Sequence, residues 1–190
     1  VIDRTLVERA SSADLAAAGA RYLDSVKWRA EGRRCFTDKL PSNFLNIGFI
    51  AHALPQAKIL HMVRDPVETC FSNLRELFSE ANAYSYDPIE LADYHRHYKR
   101  LMARWHARFP GRILDVEYVK LVSDPEAELR RVAEFCGLAF DPAMLEIGSR
   151  KRAVVTASAV QVRDSIQVRE RPKWAPYEQW LQPMIERLRA

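Results

Sequence analysis

The pattern of hydrophobic and polar residues predicts helices that are separated by short strands. An apolar run at residues 59–63 ends abruptly in Arg64-Asp65-Pro66, which is typical of a buried strand followed at once by a helix. Asp65 suits the N-cap position of that helix, and Pro66 suits its first residue. The pattern therefore predicts a strand over 58–64 and a helix that ends near residue 78.

Similar reasoning predicts the remaining elements. Short alternating or apolar runs predict two further strands, at 35–37 and 112–118. Helical periodicity with start and stop signals predicts helices at 15–26, from Ser42 or Asn43 to 54, and at 88–109, 125–136 and 177–188. Strands separated by helices imply right-handed crossovers and a parallel sheet, so the predicted fold class is α/β. Because a three-stranded parallel sheet leaves its edges uncovered, we expect one more strand before Val1.

Composition and charge restrict the class of protein. The 190 residues suit one domain with its own core, and no segment has the length of a membrane span or resembles a signal peptide. The three cysteines are widely spaced, which favours a reducing, cytoplasmic location and argues against a zinc site. His95 and His97 lie two residues apart in a helical pattern and point to different sides, so no metal site is predicted. The first residue is a valine, so we expect the chain to be part of a longer protein.

The net charge of +4 is concentrated towards the C-terminus. Residues 150–190 contain nine Lys/Arg and four Asp/Glu, which favours an anionic ligand held by this segment over a basic surface without a partner. No basic helix with interleaved aromatic residues is visible, so nucleic acid is not the predicted partner.

The strand-helix corner carries the clearest chemical signal. Arg64 lies at the carboxyl end of the predicted strand, where open α/β folds bind ligands, and Ser72 lies eight residues later, about two helical turns. A guanidinium and a hydroxyl at one helix start can together hold a phosphate group. The alternative is an ordinary corner whose arginine pairs with a surface carboxylate.

Several motifs together resemble the sulfotransferases that use 3′-phosphoadenosine 5′-phosphosulfate (PAPS). They are residues 37–44, Arg64-Asp65-Pro66 with Ser72, residues 116–122, residues 156–163, and Lys173-Trp174, in that order. The chain is most similar to bacterial sulfotransferase domains, often fused to tetratricopeptide repeats, and to the tyrosylprotein sulfotransferases. The resemblance implies a P-loop-like three-layer α/β/α fold with a parallel sheet over 1–190 as one domain, and tetratricopeptide repeats upstream in the full-length chain.

The resemblance also implies roles for individual residues. Those expected to bind PAPS, or its product adenosine 3′,5′-bisphosphate, are Arg64, Ser72, Tyr118, Gln161, Val162, Arg163 and Lys173. Lys39 is expected to support the sulfuryl group in the transition state, Ser158 to assist it, and the segment 150–175 to cover the cofactor. The alternatives are that Lys39 pairs with Asp38 or a surface acid, and that Tyr118 is a core residue.

Two parts of the family pattern are missing. Residues 1–36 contain no strand followed by a glycine- or serine-rich loop with a basic residue, which in the family holds the 5′-phosphosulfate, and the general base is not evident. Three explanations remain: a fragment of a longer enzyme, half of a split protein, or a non-catalytic module that binds a nucleotide or partner. A nucleotide-dependent kinase is disfavoured, because there is no Gly-x-x-x-x-Gly-Lys-Ser/Thr loop. The acceptor class, whether a peptide tyrosine, a saccharide, a lipid or a small alcohol, is open.

Overall fold

The computed structural model describes residues 4–10, 12–78, 80–146 and 171–190. The chain divides into two compact units. The first consists of Val1–Ala57 and Leu101–Arg112, and the second of Lys58–Arg100 and Ile113–Ala190. One boundary falls inside α5 (Pro88–Arg108), the longest helix among the described residues, so that each unit contains a part of it.

The first unit is helical in the part that the structure describes. Its helices are α1 (Arg4–Ala10), α2 (Leu15–Val26) and α3 (Ile47–Ala53), with 3-10 turns at Lys27–Ala30 and Pro41–Asn46. The carboxylate of Asp14 caps α2 by accepting the backbone N–H of Ala17 at 2.9 Å. Gly19 is buried, and a Cβ there would lie 1.8 Å from the carbonyl oxygen of Ala53. Glycine therefore allows α2 and α3 to pack in backbone contact.

Two predictions for this unit need correction. Residues 35–37 do not form a strand, because their backbone pairs with no neighbour among the described residues and only Phe36 is partly buried. The helix predicted from Ser42 or Asn43 to 54 is a 3-10 turn that begins at Pro41 and continues into α3, without a side-chain N-cap. Proline at its first position supplies the start signal instead.

The second unit contains the sheet. Among the described residues the sheet has two strands, β1 (Ile59–Val63) and β2 (Ile113–Glu117), which pair in parallel with Ile59 opposite Ile113. The helices of this unit are α4 (Pro66–Leu74), the first part of α5, α6 (Tyr118–Ser123), α7 (Pro125–Cys136) and α8 (Glu178–Arg189). Shorter 3-10 turns lie at Glu80–Tyr86, Pro142–Leu145 and Ala175–Tyr177. A parallel sheet joined through helices confirms the predicted α/β class.

The core of the second unit lies between α4, α5 and α8. Its buried residues are Cys70, Phe71, Leu91, Ala92, Leu181, Met184 and Ile185. Burial raises the pKa of the Cys70 thiol to about 12, so this cysteine stays protonated at neutral pH. The carboxylate of Asp93 on α5 accepts two hydrogen bonds from Arg187 on α8, at 2.7 and 2.9 Å, and this pair links the two helices.

Some element boundaries differ from the prediction. Helix α4 ends at Leu74 rather than near 78, and the side chain of Leu77 is 91% exposed. Without packing for that apolar residue, a further helical turn gains little from tertiary contacts. The short helix α6, directly after β2, was not predicted. Helix α7 ends at Cys136 as predicted, and the next residue, Gly137, has a φ of 65°, the left-handed conformation typical of a glycine after a helix end.

No helix in the described ranges combines the length and the apolar character needed to cross a lipid bilayer.

Candidate anion-binding site

A concave pocket lies where β1 passes into α4, entirely within the second unit. It is a small cavity of about 30 Å³ that is partly open to solvent, and it is lined by Arg64, Glu68, Phe71, Ser72, Arg75, Lys173 and Trp174. We refer to it as the corner pocket. Three cationic side chains and one carboxylate line it, so its charge favours an anion.

The local sequence determines the geometry of this corner. The side chain of Asp65 accepts the backbone N–H of Glu68 at 2.9 Å, and the backbone carbonyl of Asp65 accepts the hydroxyl of Thr69 at 2.8 Å. Pro66 occupies the first turn of α4, where its missing N–H costs no hydrogen bond. The capped start places Arg64 just before the helix and Ser72 on it, and both side chains reach the corner pocket.

Arg64 is held by two neighbours. Its Nε and Nη2 atoms lie 2.9 and 2.8 Å from Oε2 of Glu68, one helical turn further along. Its guanidinium also lies 4.9 Å from the ring centroid of Tyr118, the first residue of α6 after β2. Tyr118 is 41% exposed, so its interpretation as a core residue is wrong. The carboxylate and the ring together orient the guanidinium at the carboxyl ends of the two strands.

One face of α4 forms the wall of the corner pocket. Glu68, Ser72 and Arg75 follow one another at spacings of four and three residues, which place side chains on one face of a helix. The guanidinium of Arg75 lies 5.6 Å from the ring centroid of Phe71, which is buried in the core. Glu68 and Arg75 were not predicted to be pocket residues, although their helical spacing from Ser72 was a usable signal.

Lys173 reaches the same pocket from a distant part of the chain. It lies about a hundred residues after Ser72 and directly before Trp174, which packs against the core of the second unit. The backbone N–H of Tyr177 donates to the carbonyl of Trp174 at 2.8 Å, which joins this segment to the start of α8. The structure thus brings together Arg64, Ser72 and Lys173, with Tyr118 beside Arg64.

The remaining predicted site residues lie elsewhere. Lys39 belongs to the first unit, where it is exposed and makes no ion pair with another described residue. The carboxylate of Asp38 accepts the hydroxyl of Tyr22 instead, and this hydrogen bond raises the pKa of Tyr22. The alternative in which Lys39 pairs with Asp38 is therefore wrong. Ser158, Gln161, Val162 and Arg163 lie outside the described residues.

Comparisons with known proteins agree on one family. The model of the sulfotransferase family matches residues 2–142. An uncharacterized protein of Aquifex aeolicus is 34% identical over 175 residues, which cover 90% of this chain and 23% of that protein. The omega-hydroxy-beta-dihydromenaquinone-9 sulfotransferase of Mycobacterium tuberculosis is 27% identical over 126 residues, which cover 62% of this chain and 32% of that enzyme.

A solved structure shares the fold. The sulfotransferase domain from the curacin biosynthetic pathway superposes with a TM-score of 0.55 at 17% identity, covering 90% of this chain and 67% of that domain. At that identity the likeness supports the fold class alone. The chain itself spans about a quarter to a third of the length of the two curated relatives. Because the family model matches most of the chain, this protein belongs to the sulfotransferase family.

Proposed function

We propose that this chain is the part of a PAPS-dependent sulfotransferase that binds the nucleotide donor and moves its sulfuryl group to a hydroxyl, or to an amine. The observation that carries the proposal is the convergence of Arg64, Ser72 and Lys173 on one pocket at the carboxyl end of β1. Ligands in open α/β folds bind at this end of the strands. Two cations and a hydroxyl donor at one place suit a phosphate group.

In this proposal the corner pocket holds the 3′-phosphate of the donor. Arg64 and Lys173 neutralise the phosphate charge, and the hydroxyl of Ser72 donates a hydrogen bond to it. Tyr118 contacts the cofactor and supports the guanidinium of Arg64, 4.9 Å from its ring. The segment with Gln161, Val162 and Arg163 covers the nucleotide, which is an expectation from the family resemblance.

The chain contributes to the reaction mainly by positioning and by charge. PAPS supplies the sulfuryl group and a phosphate leaving group. Sulfuryl transfer, like phosphoryl transfer, is an in-line displacement that depends on alignment and on stabilisation of developing charge. Lys39 has an exposed ammonium in the first unit and two residues later the backbone is fixed by Pro41. We propose that Lys39 stabilises the transferring oxygens, with help from Ser158.

A hydroxyl acceptor is supported by one relative. The mycobacterial enzyme is named for an omega-hydroxylated dihydromenaquinone, and it is 27% identical to this chain over 126 residues. Because that match covers about a third of the mycobacterial enzyme, we propose for the present protein only the broader class of hydroxyl acceptors. Peptide tyrosines, saccharides and small alcohols are the other members of the proposed range.

The proposal is tested on the full-length protein that contains this chain. Transfer of labelled sulfuryl from PAPS is measured against a panel of hydroxyl acceptors, and binding of adenosine 3′,5′-bisphosphate is measured by calorimetry. We expect Lys39→Ala to lower turnover at least about a hundredfold while the Kd of the bisphosphate changes less than about threefold. The control is Lys27→Ala, since Lys27 is an exposed lysine of the same unit whose ammonium pairs with Asp24.

The possible results separate the hypotheses. Nucleotide binding without sulfuryl transfer to any acceptor would favour the alternative, a non-catalytic module that binds a nucleotide or a partner. Absence of both binding and transfer would overturn the proposal. The cytoplasmic location and the upstream tetratricopeptide repeats stay predictions, which the sequence of the full-length protein and fractionation of its host cells would test.

A further inference from the structure

The corner pocket contains a cation that the family motifs did not assign. Arg75 follows the last residue of α4, and its φ and ψ of −86° and −12° continue the helical conformation. Its side chain therefore emerges on the same face as Ser72, three residues earlier, and it lines the corner pocket.

The surroundings of Arg75 hold the guanidinium without neutralising it. It lies 5.6 Å from the ring centroid of Phe71, and Phe71 is buried and fixed in the core. The guanidinium makes no hydrogen bond or ion pair with the other described residues. An aromatic ring restricts the position of the cation but leaves its N–H groups available to an anion.

Arg64 differs from Arg75 in this respect. Two of its nitrogens contact the carboxylate of Glu68, so much of its charge is compensated before a ligand arrives. The pocket nevertheless has an excess of positive charge, because Arg75 and Lys173 also line it. We propose that Arg75 is an additional phosphate-binding residue, which gives the corner pocket its preference for a doubly charged terminal phosphate. This inference rests on the proposed function, in which the corner pocket holds the 3′-phosphate.

The test compares two nucleotides that differ only in the 3′-phosphate. Calorimetric Kd values for adenosine 3′,5′-bisphosphate and adenosine 5′-monophosphate are measured with the full-length protein, and their ratio isolates the contribution of the 3′-phosphate. We expect Arg75→Gln and Arg75→Ala to reduce this ratio roughly tenfold, mainly by weakening the bisphosphate. Arg75→Lys keeps the charge but not the planar guanidinium, so it should reduce the ratio of the two Kd values by no more than about a third as much as Arg75→Ala does.

Arg130 provides a matched control. It is an arginine of the same unit whose guanidinium also lies over a phenylalanine ring, 4.0 Å from the centroid of Phe140, and it does not line the corner pocket. Arg130→Ala should leave the ratio of the two Kd values unchanged. Thermal denaturation of every variant establishes that the folded state is retained. If Arg75→Ala reduces stability, Arg75→Gln is the variant to compare, because glutamine keeps much of the aliphatic stem that lies over Phe71.

The outcomes distinguish failure of this inference from failure of the proposed function. In one outcome, the wild type binds the bisphosphate more tightly than the monophosphate, and Arg64→Ala abolishes this difference while both Arg75 variants retain it. Arg75 then does not bind the phosphate, and the proposed function stands. If the wild type binds both nucleotides equally, the corner pocket does not hold a 3′-phosphate and both proposals are overturned. A tenfold loss in the Arg75 variants alone, with the Arg130 control unchanged, supports the inference.

Discussion

Replacing Arg64 by alanine is the sharpest test of the corner pocket, because the structure allows its effect to be divided into two parts. The guanidinium has five N–H groups, and Nε and Nη2 are directed at Glu68. The remaining donors are available to a bound phosphate. Removal of the side chain eliminates those contacts and also leaves the carboxylate of Glu68 without its partner beside the ligand.

The size of the effect follows from the contacts and the exposure of the side chain. A hydrogen bond to a charged group contributes about 1.5–3 kcal/mol, and the lower end applies here because the side chain of Arg64 is 38% exposed. The unpaired carboxylate of Glu68 then repels the anion and adds about 1 kcal/mol. We expect Arg64→Ala to weaken binding of adenosine 3′,5′-bisphosphate by about 2–2.5 kcal/mol, or roughly 30- to 60-fold in Kd.

A double-mutant cycle separates the two parts. Calorimetric titrations are made with the wild type, Arg64→Ala, Glu68→Gln and the double variant. Glutamine keeps a neutral acceptor for Arg64 but removes the negative charge, so Glu68→Gln alone should tighten binding about two- to threefold. In the Glu68→Gln background, Arg64→Ala should cost about 1 kcal/mol less than in the wild type.

Two results would refute this reasoning. An unchanged Kd in Arg64→Ala would show that the guanidinium does not contact the nucleotide. Equal costs of Arg64→Ala in both backgrounds would show that Glu68 does not act on the ligand through its charge. Arg130→Ala, which removes an arginine of the same unit outside the pocket, is the control for a general change in charge.

Two further predictions concern stability. Gly19→Ala should destabilise the protein by about 2 kcal/mol in urea denaturation, because its Cβ would lie 1.8 Å from the backbone oxygen of Ala53 and the clash outweighs the gain in helix propensity. Glu128 is buried, and its hydrogen bonds from Arg131 lower its pKa. The pair therefore stabilises the fold at pH values above the ordinary pKa of glutamate, and this stabilisation is lost as the pH falls through the lowered pKa of Glu128. On acidification, Glu128→Gln should therefore lose less thermal stability than the wild type does.

Each of these predictions has its own control. Ala20 is exposed on the same helix as Gly19, and Ala20→Ser should change stability by less than about 0.5 kcal/mol. Glu126 pairs with Arg130 at 2.6 Å on the same helix as Glu128, but it is 53% exposed, so Glu126→Gln should leave the acid dependence nearly unchanged. The packing described above would be contradicted if Gly19→Ala had the same stability in urea as the wild type. It would also be contradicted if the thermal stability of Glu128→Gln depended on pH as that of the wild type does.

Local signals predicted most of the helices and both observed strands. Asp14, Asp65 and Asp124 cap α2, α4 and α7, as short polar residues before a helical pattern should. The errors occurred where a local pattern needs a distant partner. Residues 35–37 have the composition of a strand, yet a strand forms only if another backbone pairs with it. Likewise α4 ends at Leu74, since the exposed Leu77 finds nothing to pack against.

The candidate site likewise combines features set by local sequence with one contact that depends on the tertiary structure. The sequence by itself determined the strand-helix corner and the spacing of Arg64 and Ser72, because caps, proline and helical periodicity act over a few residues. The pair of Arg64 and Glu68 spans one helical turn and is equally local, whereas only the tertiary structure decided that Lys173 joins this corner from about a hundred residues later in the chain. Contacts of this kind depend on how α4, α5 and α8 pack around their shared core, and packing is a property of the folded chain as a whole.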